Sequence, residues 1–395
     1  MRQQPSKRTA VDKRESRGET YVRLKNVFYL TIKELRSIRS DFIVLILVAY
    51  AFTFAIYTIA TGTSTEPVNL TVGIVDEDHS DLSRRFFDVL SQPPLFKPAT
   101  LIGPDEVDSN MDAGHLIFVL EIPPRFEQDL LAGRQASLQL NIDATAMAPA
   151  GNGSIYIQSI LLQEVYNFLA RREMAPPAPV NVVTHVKFNP NLYSFWFTSV
   201  MQVINNITIL AVILTGAALI REREHGTIEH LLVMPVVPWE IMMAKTFANG
   251  LVILIGAALS LTLVGEMLLG VPIAGSVVLF IAGAALYTIT VAALGILMGT
   301  VVNTMGQFAL LCTPSLVIMY LLSGSTTPME SMPVWLRYLM LIVSPTPHFV
   351  AFSQAILYRG AGLSIVWPQL GAMVAIGSLY FAFSLGRFRR AIFGD

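Results

Sequence analysis

The sequence predicts a polytopic α-helical membrane protein with six transmembrane helices and an α/β domain inserted between the first and second. Three observations predict it. The 395 residues are 53% hydrophobic and 14% charged, with a mean hydropathy of +0.56, outside the range of soluble globular domains. Six segments, 42–60, 195–220, 241–265, 275–301, 307–323 and 363–386, reach or approach the ~20 apolar residues that cross a hydrocarbon core. Between the first two lies a long hydrophilic stretch, 61–194, large enough to fold around a core of its own.

The N-terminal 41 residues carry eleven bases against five acids, Asp12, Glu15, Glu19, Glu34 and Asp41. Basic charge just ahead of a first span places the N-terminus in the cytoplasm, which explains the charge without a nucleic-acid partner. Residues 1–20 are polar and low in aromatics and read as a disordered tail. Over 21–41, Leu24, Val27, Phe28, Leu35 and Ile38 recur at helical spacing among Lys25, Lys33, Arg36 and Arg39. That pattern predicts an amphipathic helix on the inner leaflet or packed on protein.

Within 61–194, VNLTVGIVDED reads as a strand, LSRRFFDVLSQ as a helix and GPDEVDSNMDAG as a short helix. HLIFVLEIPP then reads as a strand, RFEQDLLAG as a helix and ASLQLNIDA as a strand. An amphipathic helix from Ile155 to Arg172 and a returning strand, VNVVTHVKF, follow. Such β-α-α-β-α-β order predicts a small α/β sandwich, and the preceding topology puts it outside. The Pro-rich MAPPAPV leads back towards the membrane.

The third segment carries one charge in its first turns, Lys245, expected to snorkel to the interface. Glu266 falls about 37 Å along that helix at 1.5 Å per residue, so it marks the outer end. Pro314 interrupts the fifth segment, whose boundaries are therefore the least sharp. Residues 324–362 are apolar but broken by Pro328, Pro333, Pro345 and Pro347. Irregular backbone at membrane depth must be buried or line a cavity, so short re-entrant helices are expected. Six spans return the tail 387–395, with Arg387, Arg389 and Arg390, to the cytoplasm, the side on which Arg221 and Arg223 also fall.

Chemistry-bearing constellations are sparse. Cys312 is alone, which excludes an intrachain disulfide and a thiolate metal cluster. No G-x-x-x-x-G-K-[ST] loop exists, so the chain cannot hydrolyse ATP by itself. His225, Glu229 and His230 have the look of a zincin fragment, but the two histidines stand five residues apart, roughly 140° around a helix, and no metal site is expected. Asn205, Asn206 and Thr208 form the main polar cluster within a span. They bond another helix or line a substrate pathway.

The densest charge lies in 221–240, RERE HGTI EHLL VMPV VPWE, between two apolar runs. Thr227 can cap a short helix that Pro235 or Pro238 would end, giving a docking element beside the membrane or a loop that only fixes topology. IREREHGTIEHLLVMPVVPWEIMMAK, with NPNLYSFWF, QAILYRGAG and the order of spans, resembles the ABC-2 type transporter permeases. The likeness is to the bacterial exporter branch with a large periplasmic domain between the first two spans, which works with a membrane-fusion protein. It covers the chain from about Lys25.

The resemblance implies a cytoplasmic coupling helix in this loop. Carried over residue by residue, Glu222, Glu224, Gly226, Thr227, Glu229, Leu231, Leu232 and Pro235 match its motif. It implies an ABC ATPase subunit docked there, with ATP and Mg²⁺ on that partner and no cofactor on this chain. It also implies a second permease, identical or related, to complete the pathway. Residues 21–41 would be the connecting helix. With lipid around it and few charges along its spans, such a permease suits an amphiphilic or hydrophobic cargo. The competing reading is a membrane-anchored receptor whose outside domain binds a ligand without transport.

Overall fold

The protein is described by a computed structural model over residues 7–62, 69–143, 147–171, 193–224 and 236–393. In chain order these hold α1 (Lys7–Ser40), α2 (Phe42–Phe52), α3 (Phe54–Gly62), β1 (Val72–Asp76), α4 (Asp81–Val89), β2 (Thr100–Leu101), α5 (Val107–Asp112), β3 (Phe118–Ile122), α6 (Phe126–Leu131), β4 (Gln139–Ile142) and α7 (Met147–Arg171). Then follow α8 (Ser194–Glu224), α9 (Pro238–Leu259), α10 (Val277–Val301), α11 (Met305–Leu321), α12 (Val334–Val343), α13 (Thr346–Leu357) and α14 (Leu363–Phe393). The chain divides into two compact units, residues 63–194 and the remainder.

The larger unit is helical. Among the described residues, five stretches are long and apolar enough to cross a membrane: α2–α3, α8, α9 with its π-helical continuation to Leu268, α10 and α14. The shorter apolar α11 spans 17 residues and contains Pro314. Helices α12 and α13 meet at 88°, as a broken span or a re-entrant loop would. The protein is therefore a polytopic membrane protein, with five or six crossings by length and composition among the described residues.

Helix α8 lies at the centre of this unit, with Ile204, Ile207, Ala211, Val212 and Ile220 fully buried. Its approach to α10 is set by glycine. A Cβ on Gly295 would stand 2.4 Å from the Val212 carbonyl oxygen, and one on Gly216 would stand 2.7 Å from the Gly295 carbonyl oxygen. Small residues at such crossings let backbones touch where lipid supplies no hydrophobic drive. Helix α1 packs along α9, and α10 along α14.

Helix α1 runs N-terminally to Lys7, through residues that composition alone reads as a disordered tail. Between Lys7 and Arg17 the sequence has no glycine or proline, and seven of the eleven residues are lysine, arginine, alanine or glutamate, which are good helix formers. Low hydrophobicity denies that stretch a core without denying it a helix.

The unit 63–194 is an α/β fold whose described residues include a four-stranded sheet of order β2-β1-β3-β4. Strand β1 runs parallel to β2 and β3, while β3 and β4 are antiparallel, with Val72 opposite Phe118 and Phe118 opposite Ile142. Ile74, Phe118 and Leu120 meet Leu82, Phe86, Phe126 and Ile157 on one face. Val75 and Val119 meet Val107 and Leu116 on the other. Both faces are thus covered, as central parallel strands require. Asp78 Oδ2 accepts the Glu127 amide at 3.0 Å, and Glu127 Oε2 accepts the Leu82 amide at 3.1 Å, so two helix starts are tied together. Strand β2 is an addition to the sequence-predicted order. It has two exposed residues, too few for an alternating pattern to register. The segments MAPPAPV and VNVVTHVKF lie outside the described residues.

Candidate functional site

Helix α8 continues beyond its apolar stretch into Arg221-Glu222-Arg223-Glu224. Successive side chains on an α-helix step by about 100°, so four consecutive polar residues point into four sectors. Each meets a different neighbour. Arg221 Nη1 donates to Asp41 Oδ2 at 2.9 Å, at the start of α2. Glu222 Oε1 lies 2.8 Å from Lys245 Nζ on α9 and 3.9 Å from Lys33 Nζ on α1.

Arg223 Nη1 donates to the Val302 carbonyl at 2.8 Å, and Glu224 Oε1 accepts the Met305 amide at 2.9 Å. Those two backbone groups flank the turn between α10 and α11. A cation thus meets the carbonyl end of one helix and a carboxylate the amide end of the next, the sense that both orphan hydrogen-bonding groups and helix dipoles favour.

Lys245 does not snorkel. Its side chain is 3% exposed, paired with Glu222 and, at 3.5 Å, with Glu34 on α1. Burial of an ammonium is tolerated only where carboxylates compensate it, and here α1 brings one that the sequence gives no way to pair with position 245. Glu240, 1% exposed, accepts the Val237 amide at 3.1 Å and the Asn26 amide group at 3.5 Å, and so ties the start of α9 to α1 as well.

Asp41 caps α2 by accepting the Val44 amide at 3.2 Å. The Arg221 hydrogen bond, followed by that of Val44, holds its carboxyl below the ordinary aspartate range.

Of the eight residues matched to a coupling motif, Glu222 and Glu224 are described and both face neighbouring helices. Gly226, Thr227, Glu229, Leu231, Leu232 and Pro235 lie outside the described residues, with His225 and His230.

The candidate pathway residues sit midway along α8. Asn206 Nδ2 donates to the Ala51 carbonyl beside the break between α2 and α3, and its Oδ1 accepts from Gln202 at 3.0 Å. Asn205 Oδ1 accepts from Ser325 Oγ at 3.5 Å. Thr208 Oγ1 lies 2.7 Å from the Tyr287 hydroxyl, which lies 3.0 Å from Thr346 Oγ1. Together they link α8 to four other parts of the bundle. The void beside Asn205 and Thr208 measures only about 10 Å³, space for at most one water. Sequence reasoning missed Tyr287 and Thr346. A tyrosine inside an apolar span needs a hydroxyl partner, and that was the available signal.

The model of the ABC-2 family transporter proteins matches residues 39–385 of the chain. The inner membrane transport permease YhhJ of Escherichia coli K12 is 49% identical over 370 residues, covering 93% of this chain and 98% of that protein. The probable multidrug ABC transporter permease YbhR of the same organism is 29% identical over 330 residues, covering 83% and 88%. YbhS, also described as a probable multidrug ABC transporter permease, is 24% identical over 339 residues, covering 85% and 89%. A family match over most of the length, a relative sharing half its residues and a bundle of apolar helices have one reading: the chain belongs to the ABC-2 transporter family, as a multi-pass inner-membrane permease of the kind that works with an ABC ATPase subunit.

Proposed function

We propose that this permease is the membrane half of an exporter whose partner ATPase docks on 221–235 and drives an amphiphilic or hydrophobic cargo outward. The carrying observation is the last turn of α8, where Arg221 to Glu224 bind the start of α2, α1 with α9, and the α10–α11 turn. A load applied just beyond Glu224 reaches these elements through direct polar contacts. The sparse charge along the spans supports an amphiphilic cargo over a small ion, and the multidrug description of YbhR and YbhS is in keeping with it.

In this reading both termini and 221–235 are cytoplasmic, supported by the bases at 1–41, 221–223 and 387–390. The α/β unit is then periplasmic, where it suits contact with a membrane-fusion protein, and a second permease, identical or related, completes the pathway. ATP and Mg²⁺ belong to the ATPase subunit. Glu229→Lys reverses charge in the docking segment and lies beyond the turn that holds the helices. It is expected to abolish transport and ATPase stimulation at normal membrane abundance. Wild-type transport by that variant would refute the docking assignment, and failure of any ATPase to co-purify in mild detergent would refute the exporter itself.

A further inference from the structure

A cavity of about 350 Å³ lies between α1, the first turn of α2 and the charged ends of α8 and α9, within the size range of small-ligand sites. Its polar wall carries Lys33, Glu34, Asp41, Arg221, Glu222 and Lys245, three cations and three carboxylates. Its apolar wall carries Val44, Leu214, Ala217 and Ala218.

We propose that this cavity binds the headgroup of an aminophospholipid, a phosphodiester bearing a primary ammonium, from the leaflet at that end of the bundle. The charge balance argues first. A purely anionic headgroup would meet three carboxylates and a purely cationic amphiphile three cations, whereas a zwitterion complements both. Lys33 and Arg221 stand at the mouth with more than half of each side chain exposed, where long cationic side chains can follow a phosphodiester. Glu34 and Glu222 are about six-sevenths buried, and each carboxylate has roughly four acceptor positions. Glu34 already meets Lys33 as well as Lys245, and its remaining acceptor positions can take hydrogen bonds from a primary ammonium, where a quaternary amine has none to give.

Level argues second. Asp41 precedes the first residue of the first span. Ala217 and Ala218 lie about one helical turn inward of Arg221, and Leu214 a turn further. The wall thus passes from charged to apolar over about 10 Å along α8, the gradient a lipid presents from headgroup to chain. A water-soluble zwitterion would leave the apolar wall wet. The inference does not depend on the transport reading, because the site needs only the bundle and its membrane.

Native mass spectrometry of the purified chain tests it, titrating dioleoyl phosphatidylethanolamine, phosphatidylcholine and phosphatidylglycerol, with glycerophosphoethanolamine as the soluble arm. The ethanolamine lipid is expected to bind at least about fivefold more tightly than the other two, roughly one kcal/mol, with no binding of the soluble headgroup. Ala218→Leu, which fills the apolar side, should weaken ethanolamine-lipid binding at least about fivefold. Lys33→Gln, a change at a side chain more than half exposed, should weaken it too and decides the matter if the leucine variant misfolds.

Equal retention of all three lipids would mean annular lipid only and would overturn the proposal. So would preference for phosphatidylglycerol, binding of glycerophosphoethanolamine as tight as that of the lipid, or indifference to both substitutions.

Discussion

Lys245→Met removes the one ammonium that Glu34 and Glu222 share at depth. The side chain is 3% exposed, with carboxylate oxygens at 2.8 and 3.5 Å. Breaking a fully buried ion pair from one side costs about 3–5 kcal/mol. Two features lower that figure here. The carboxylates keep 15–16% of their surface, so water can reach them, and Lys33 remains 3.4 Å from Glu34 and 3.9 Å from Glu222. The expected loss is therefore about 1–3 kcal/mol, the range for leaving buried polar groups under-satisfied. Unfolding of the detergent-solubilised chain by SDS titration measures it. Adding Glu222→Gln to Lys245→Met should recover part of the loss, since the orphaned charge is removed with its partner, and the double-mutant cycle should show coupling above about 0.5 kcal/mol. Additive effects, or a Lys245→Met chain as stable as the parent, would refute the view that this contact binds α8 to α9.

Gly295→Ala would put a Cβ 2.4 Å from the Val212 carbonyl oxygen, so α8 and α10 must part. The expected cost is about 1–3 kcal/mol, read as a lower melting temperature in detergent, and an unchanged melt would show that the helices are not in contact. Tyr287→Phe keeps the ring stacked on Phe349 at 4.1 Å but removes the hydroxyl between Thr208 and Thr346. Thr208 still donates to the Ile204 carbonyl, so the loss should be near 1 kcal/mol, and a loss above about 3 would indicate a larger role.

The Asp41 contact has a definite pH sense. Its folded carboxyl titrates below the ordinary value of 3.8 because Arg221 and Val44 donate to it, so the stabilisation is present above that value and disappears as pH falls through the depressed one. Infrared titration with Asp41→Asn as reference should show the carboxyl moving up towards 3.8 in Arg221→Gln. An unmoved titration would exclude the guanidinium as the cause.

Apolar runs made the membrane class legible, because hydropathy over some 20 residues reports the bilayer directly. The excess of charge at 221–224 was legible too, but its partners were not. Glu222 stands in the sequence as one carboxylate of a charged run with nothing to mark it as inward-facing, and Lys245 reads as a snorkelling residue because it lies near a helix end. Only the packing of α1 along α9 brings Glu34 to Lys245 and makes burial the cheaper solution. In the α/β unit, strands β1 and β3 stood out through continuous apolar runs buried on both faces. Strand β2 did not, since its two exposed residues join the sheet by backbone pairing with Gly73 and Ile74, which leaves no trace in side-chain pattern.

The contacts of Arg221 to Glu224 are unequal, and the inequality shapes how a displacement of α8 would spread. Arg221 and Asp41 keep 54% and 26% of their side-chain surface, and exposed pairs contribute little because water and salt compete. The start of α2 is thus tied loosely, although the Asn206 bond to the Ala51 carbonyl holds its far end. Arg223 makes a charge-assisted, part-buried bond to the Val302 carbonyl at 2.8 Å, of the class that contributes about 1.5–3 kcal/mol, whereas the Glu224 bond to the Met305 amide at 2.9 Å is exposed and water competes for it. Lys245 is the stiffest point, because separating it from Glu222 would leave a buried ammonium with Glu34 as its remaining carboxylate contact among the described residues. A pull on the end of α8 should therefore carry α9 and the α10–α11 turn with it before α2 follows. The glycine contact between Gly216 and Gly295 has the same consequence deeper in the bundle, where α8 and α10 touch at backbone distance and must move as one.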